Sequence, residues 1–309
     1  MFLVNDHASK SIIKEAKETS IIKNFFKKTF YYFSIFTIVF STTMTASINT
    51  AYATDGDVLL IEDGETATQG TAFEAGASGR NMTSNSKASR ADIQVNSTTI
   101  LDIGVNGPYT IDSIISQNSG STADTLDLQL DGQTLIVQEE ISDLANNALT
   151  VTVSEANSVL RMSSVNDETR GTGADTLKFK IANGANIELN AGTYSANFDG
   201  VTSSTTSTLK LLGAVINDEN IGGTVAIGTL NMNSQTLTAG VGSVKVGALT
   251  HSGNIVSAAS LEVTGITTST DSNITTAGFQ KYTGVFNVAT GTTVLDSTGN
   301  DDTDDITFE

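Results

Sequence analysis

Short runs in which every second residue is aliphatic recur along most of this chain. They are Leu126-Leu128-Leu130, Leu149-Val151-Val153, Leu177-Phe179-Ile181, Leu209-Leu211, Leu230-Met232, Val244-Val246, Leu261-Val263 and Phe286-Val288. Alternate residues of a strand share a face, so each run gives a strand with one apolar side. The residues in between, among them Asp127, Gln129, Thr150, Thr152, Lys178, Lys180, Asn231, Lys245 and Glu262, give the opposite side to water. Turn formers separate the runs: Asp131-Gly132, Asn183-Gly184, Asp199-Gly200, Asn190-Ala191-Gly192, Gly222-Gly223 and Thr290-Gly291. Abundant threonine favours strand over helix, because its branched Cβ fits a pleated surface.

The expected fold is all-β, and two architectures compete for it. A β-sandwich centres on aromatic side chains, which bury the most area each. Here there is no Trp, with 13 Phe and 6 Tyr in 309 residues, and more than half of those aromatics lie before residue 54. A parallel β-helix, or β-solenoid, instead stacks similar aliphatic side chains from coil to coil and can close its corners with Asn, Ser or Thr. The irregular spacing of the runs fits a β-solenoid of irregular coils over residues 99–295, with β-sandwich as the alternative. Residues 100 to 300 would make about ten coils at roughly 4.8 Å each. One short helix is expected from Glu139 to Leu149, where Glu139 and Glu140 suit a helix N-terminus.

The first 53 residues are a different kind of polymer. Lys10, Lys14, Lys17, Lys23, Lys27 and Lys28 precede an apolar run from Phe30 to Phe40, and a small, polar stretch closes at Ala51-Tyr52-Ala53. This reads as a signal peptide over 1–53 with an extended n-region, and Thr54 as the first mature residue. A retained membrane anchor is the competing reading, since Thr29 to Thr54 carries no charge, but Ser41-Thr42-Thr43 and Ser47 to Thr50 interrupt it. Residues 54–98 are poor in large apolar groups and read as a flexible or capping segment. Residues 296–309 read as an acidic tail.

The formal net charge is −18, and the leader holds much of the basic content. Such a surface repels phosphate backbones and anionic headgroups, so nucleic acid is excluded as a partner. Zero cysteines remove disulfide frameworks and thiolate metal sites.

Catalytic constellations are sparse. Beyond the leader the single histidine is His251, read as an exposed strand-end residue. A Ser-His-Asp triad would need a nucleophile elbow, and Gly242-Ser243 and Gly120-Ser121 do not make one. The acids Asp296, Asp301, Asp302, Asp304 and Asp305 could offer Ca²⁺ hard oxygens, but they lack the glycine and distal glutamate of an EF-hand loop. Paired carboxylates for glycan hydrolysis, Asp301 with Asp302 or Asp124 with Asp127, come without basic groups or aromatic platforms around them. No residue is assigned as catalytic, cofactor-binding or metal-binding, no cofactor is implied, and the chain reads as a non-enzyme.

The basic leader, the A-x-A site and the Gly/Asn/Thr/Ser-rich stretches Gly228 to Gly240, Asn183 to Tyr194 and Gly284 to Thr293 resemble the passenger domains of Gram-negative autotransporters, particularly the surface antigens of rickettsia-like bacteria. The resemblance is one of texture over about 200 residues. It implies a β-helix at the cell surface, outer membrane-associated or extracellular, with an adhesin or antigen role toward a host or neighbouring-cell surface molecule. The sequence stops at Ile306-Thr307-Phe308-Glu309 without alternating barrel strands. The resemblance therefore implies a truncated member, a translocator barrel encoded elsewhere, or free secretion. The alternatives are a secreted carbohydrate-active β-helix enzyme and a structural fibre or surface-layer subunit.

Overall fold

The computed structural model describes residues 57–61, 66–68, 73–75, 78–80, 91–95, 98–102, 108–111, 115–117, 123–143, 148–166, 177–202, 206–299 and 304–309. The leader and the pair Asp301 and Asp302 lie outside these residues. Within the unit Tyr52–Glu309 the described residues form strands joined by turns, with no helix, stacked as a parallel β-solenoid of about eight turns. The one antiparallel pair among the described strands is the hairpin Phe73–Ala75 with Ser78–Arg80.

Three strand ladders run through the solenoid. In the first, Thr99, Leu126, Val151, Phe179, Phe198, Ile221, Val244, Leu261, Gln280 and Ile306 lie in register on successive coils. In the second the column is Leu135, Leu160, Ile187, Leu209, Leu230, Leu249, Thr267 and Phe286. The third ladder carries Val215, Leu237, Ile255, Ile274 and Leu295. From Leu126 to Leu261 the first column is buried throughout, as is the second from Leu135 to Thr267, so the aliphatic stacks form one core cluster. Removing such side chains from water at roughly 25 cal/mol per Å² is the main favourable contribution to folding. Phe179 and Phe198 add a stacked pair with ring centroids 5.2 Å apart.

The coils vary in length along the chain. Register partners on neighbouring coils lie 27 residues apart at Thr99 and Leu126 and 28 at Val151 and Phe179, but 17 at Val244 and Leu261, 19 at Leu261 and Gln280 and 26 at Gln280 and Ile306. About eight turns form where the sequence suggests ten.

Corners repeat as well as faces. Between the first two ladders, successive coils turn at Gly132 (φ 74°), Asn157 (φ 64°) and Gly184 (φ 76°). The Asn157 amide donates to the Gly184 carbonyl at 2.8 Å, so these left-handed residues lie one above another. Asn tolerates this backbone conformation and glycine favours it.

Several expectations are corrected by the coordinates. The proposed helix Glu139 to Leu149 is strand at both ends, in Thr134–Ser142 and Ala148–Val153. Ile141 is buried there and pairs with Ile115 and Val165, so ladder pairing overrides local helix preference. Asp199-Gly200 is the end of the strand Asn197–Gly200 rather than a turn. Parallel pairing also extends upstream of Thr99, since Thr66–Thr68 pairs with Thr98–Asp102 and Asp57–Ile61 with Ala91–Val95. Downstream, Ile306–Phe308 pairs with Gln280–Tyr282, so part of the acidic segment 296–309 is strand.

In the last coils polar residues enter the apolar spine: Thr267, Ser269, Ser272, Thr276 and Gln280 are buried beside Ile274 and Tyr282. Gln280 Nε2 donates to the carbonyls of Ile274 (3.2 Å) and Asp296 (2.8 Å), and Tyr282 Oη donates to Gln280 Oε1 at 3.0 Å. Ser269 Oγ lies 2.8 Å from Ser272 Oγ and 2.5 Å from Thr293 Oγ1. Buried polar groups are tolerated when paired in this way, and of these five Thr267 alone has a hydroxyl without a partner.

Candidate functional site

The outward positions of the first ladder build the site. Thr150, Lys178 and Asn197 occupy consecutive rungs beside the buried column, and Ser243 and Ser260 occupy later ones. Asn220 precedes the bridging residue Ile221, which joins Phe198 to Val244. Lys178, Asn197, Asn220 and Ser243, together with Asp199, Gly223 and Thr224, line a groove of about 520 Å³.

The segment Gly222 to Val225 forms one wall. Asp199 Oδ1 accepts hydrogen bonds from the amides of Thr224 (3.0 Å) and Val225 (3.4 Å), which fixes that wall to the strand Asn197–Gly200. Gly222 has φ 74°, and a Cβ there would collide with the carbonyl oxygen of Lys245. Only glycine lets the wall lie this close to the strand Ser243–His251. Asn220 Oδ1 accepts from the Ser243 amide at 3.0 Å, which leaves its Nδ2 as a donor.

Asn197 is 8 % exposed and lines the groove, yet its Nδ2 has no hydrogen-bond partner. An unpaired buried donor costs about 1–3 kcal/mol. The groove therefore carries an ammonium at Lys178, amide donors at Asn197 and Asn220, hydroxyls at Thr224 and Ser243, and the second carboxylate oxygen of Asp199. This set can hold an oxygen-rich ligand. It has no nucleophile with an adjacent base, so it does not assemble an acyl-transfer centre.

A second polar cluster lies on the outward side of the second ladder. Glu188 sits between two cations, with Oε2 accepting from Arg161 Nε (2.8 Å) and Nη2 (2.5 Å), and Oε1 from Lys210 Nζ (2.9 Å). Burial alone would raise its carboxyl pKa, but the hydrogen bonds and charges of Lys210 and Arg161 together hold it below the usual value. Every charged group in this triad is paired within the fold, so it acts as a clamp across three coils.

The residues weighed from sequence do not converge. His251 is 2 % exposed, not an exposed strand-end residue, with Nδ1 3.3 Å from the Gly253 carbonyl and Nε2 without a partner. Burial lowers its pKa and holds the ring neutral. Its Asn233, His251, Ser269 register keeps it on the second ladder, away from the groove. Asp124 is buried, whereas Asp127 is partly exposed and accepts from Gln129 Nε2 at 3.2 Å; on one strand, positions three apart point to opposite sides, so these acids cannot flank one bond. Among the described residues no group of three or more His, Cys, Asp and Glu is close enough to hold a metal ion, and no helix is long and apolar enough to cross a membrane.

The groove had a faint trace in the sequence. Gly222-Gly223 reads as a turn, but nothing local says that this turn folds back over the rung of Asn197 one coil earlier. Comparisons with protein families, with curated proteins and with solved structures find no match to this chain.

Proposed function

We propose that the chain is an exported, non-enzymatic surface protein of the autotransporter-passenger kind, whose solenoid presents a binding groove to a molecule on a host or neighbouring cell. The observation that carries this reading is the groove of Lys178, Asn197, Asp199, Asn220, Thr224 and Ser243, where donors are left unspent on a sheet face held by the ladders. A groove built on stacked strands is preorganised, which reduces the ordering cost of binding. The basic leader ending at Ala51-Tyr52-Ala53 supports export, and the separated Asp124 and Asp127 remove one route to glycan hydrolysis.

Protease treatment of intact cells and attachment of the purified chain to target cells test this together. Removal of the protein by external protease, with saturable attachment, is the expected result. Full protection inside intact cells, or no attachment at any concentration, overturns it.

A second reading, a fibre or surface-layer subunit, is favoured by the end coil. Strand Phe286–Ser297 pairs on one side only among the described strands, and Val288 and Val294 are 51 % and 48 % exposed. An unpaired edge of this kind can take a strand of a second copy. Sedimentation that finds only monomer at high concentration counts against it.

A further inference from the structure

The sequence offers no ligand for the groove, but its chemistry narrows the class. We propose that it binds an acidic sugar residue, a hydroxylated ring bearing a carboxylate, held edge-on across the strands. This rests on the binding reading above.

The row Lys178, Asn197, Asn220, Ser243 climbs four successive rungs, about 14 Å at the ladder spacing. Every member supplies a donor, and Asn197 Nδ2 is both buried and unpaired. Donors arrayed this way call for a ligand rich in acceptor oxygens. Lys178 is exposed and stands one rung from Asn197, so an ammonium and an amide donor converge at one end. That pair suits a carboxylate, because charge-assisted hydrogen bonds to an anion are the strongest available to it.

Asp199 sets the opposite requirement. Its Oδ1 is occupied by the Thr224 and Val225 amides, and its other oxygen can accept from a ligand hydroxyl. A bare carboxylate without hydroxyls would meet Asp199 as a like charge. A neutral sugar would leave Lys178 without an anion. A ring that carries both groups satisfies both ends. No aromatic side chain lines the groove, so recognition runs through ring substituents rather than ring faces.

The experiment compares methyl glucuronide with methyl glucoside, titrated by heat or by NMR into the full chain and into the variants Lys178→Gln and Thr224→Val. The two probes differ only at the carboxylate. Tighter binding of the glucuronide by about tenfold is expected, with Lys178→Gln abolishing that preference and Thr224→Val weakening both probes alike. Lys178 is on the surface, so its substitution leaves the thermal midpoint unchanged and reports the ligand rather than the fold. Equal affinity for the two probes, a preference that survives Lys178→Gln, or no saturable binding to folded protein overturns the proposal. Cell attachment separates the two readings. If Lys178→Gln attaches normally, the sugar assignment fails while the binding function stands. If the unmodified chain binds neither cells nor probe, both fail.

Discussion

Two side chains make the stability of this fold pH-dependent, in different pH ranges. Glu188 has a folded pKa held below its ordinary value of 4.5 by Lys210 and Arg161. Its contribution is therefore fully present above the unfolded pKa and is lost as pH falls through the lower folded value. Glu188→Gln should destabilise the protein by about 1–2 kcal/mol at neutral pH, with the difference from the parent shrinking as pH drops below the ordinary carboxylate range; urea unfolding at several pH values measures it. His251 has its pKa lowered from 6.5 by burial. The unfolded chain takes up the proton first, so stability falls as pH drops below about 6.5. A His251→Leu variant should show a flatter stability profile between pH 7.5 and 5 than the parent, and parallel profiles would contradict this. Neither effect could be read from composition, because Glu188 depends on cations 22 and 27 residues away and His251 on burial within the stack.

At the level of strands and turns, stacking in register explains why modest aliphatic side chains suffice. Phe179 lies between Val151 and Phe198 in its column, and its ring packs on Phe198. Phe179→Ala should cost about 3–5 kcal/mol, because the coils on either side limit how far the cavity can collapse. The Gly222 wall makes a matching prediction for the groove. Gly222→Ala requires a side chain at φ 74° and against the Lys245 carbonyl, so it should lower stability and displace the wall from Asp199. The readout is loss of probe binding together with a lower thermal midpoint. The alternations Leu126-Leu128-Leu130 through Leu261-Val263 declared their buried face in the sequence, and the coordinates bury each one. Phe286-Val288 has the same pattern but is partly to mostly exposed, because among the described strands none pairs with its outer edge. Periodicity gives the face of a strand and says nothing about whether a neighbour lies over it.

Across the solenoid, each coil contacts chiefly the coils before and after it, so stability is close to a sum of coil and neighbour contributions. Amide hydrogen exchange should then be slowest in the central coils, from Val151 to Leu249, and fastest in Phe286–Ser297, whose outer edge is unpaired. Uniform protection across all coils would mean that the stack opens only as a whole. The sequence by itself determined the class of structure: alternation with period two, scarce aromatics and recurrent Gly and Asn turns leave a β-solenoid as the economical way to bury these aliphatic residues. Those signals are local, and each reports on a strand or corner within a few residues. The tertiary structure alone decided the length of the coils, the entry of the Gln280 network into the aliphatic spine, the burial of His251 and the assembly of the groove. All four depend on which residue lies one coil above another. That register is fixed by coil lengths of 17 to 28 residues set in the turns, a distance over which alternation carries no information.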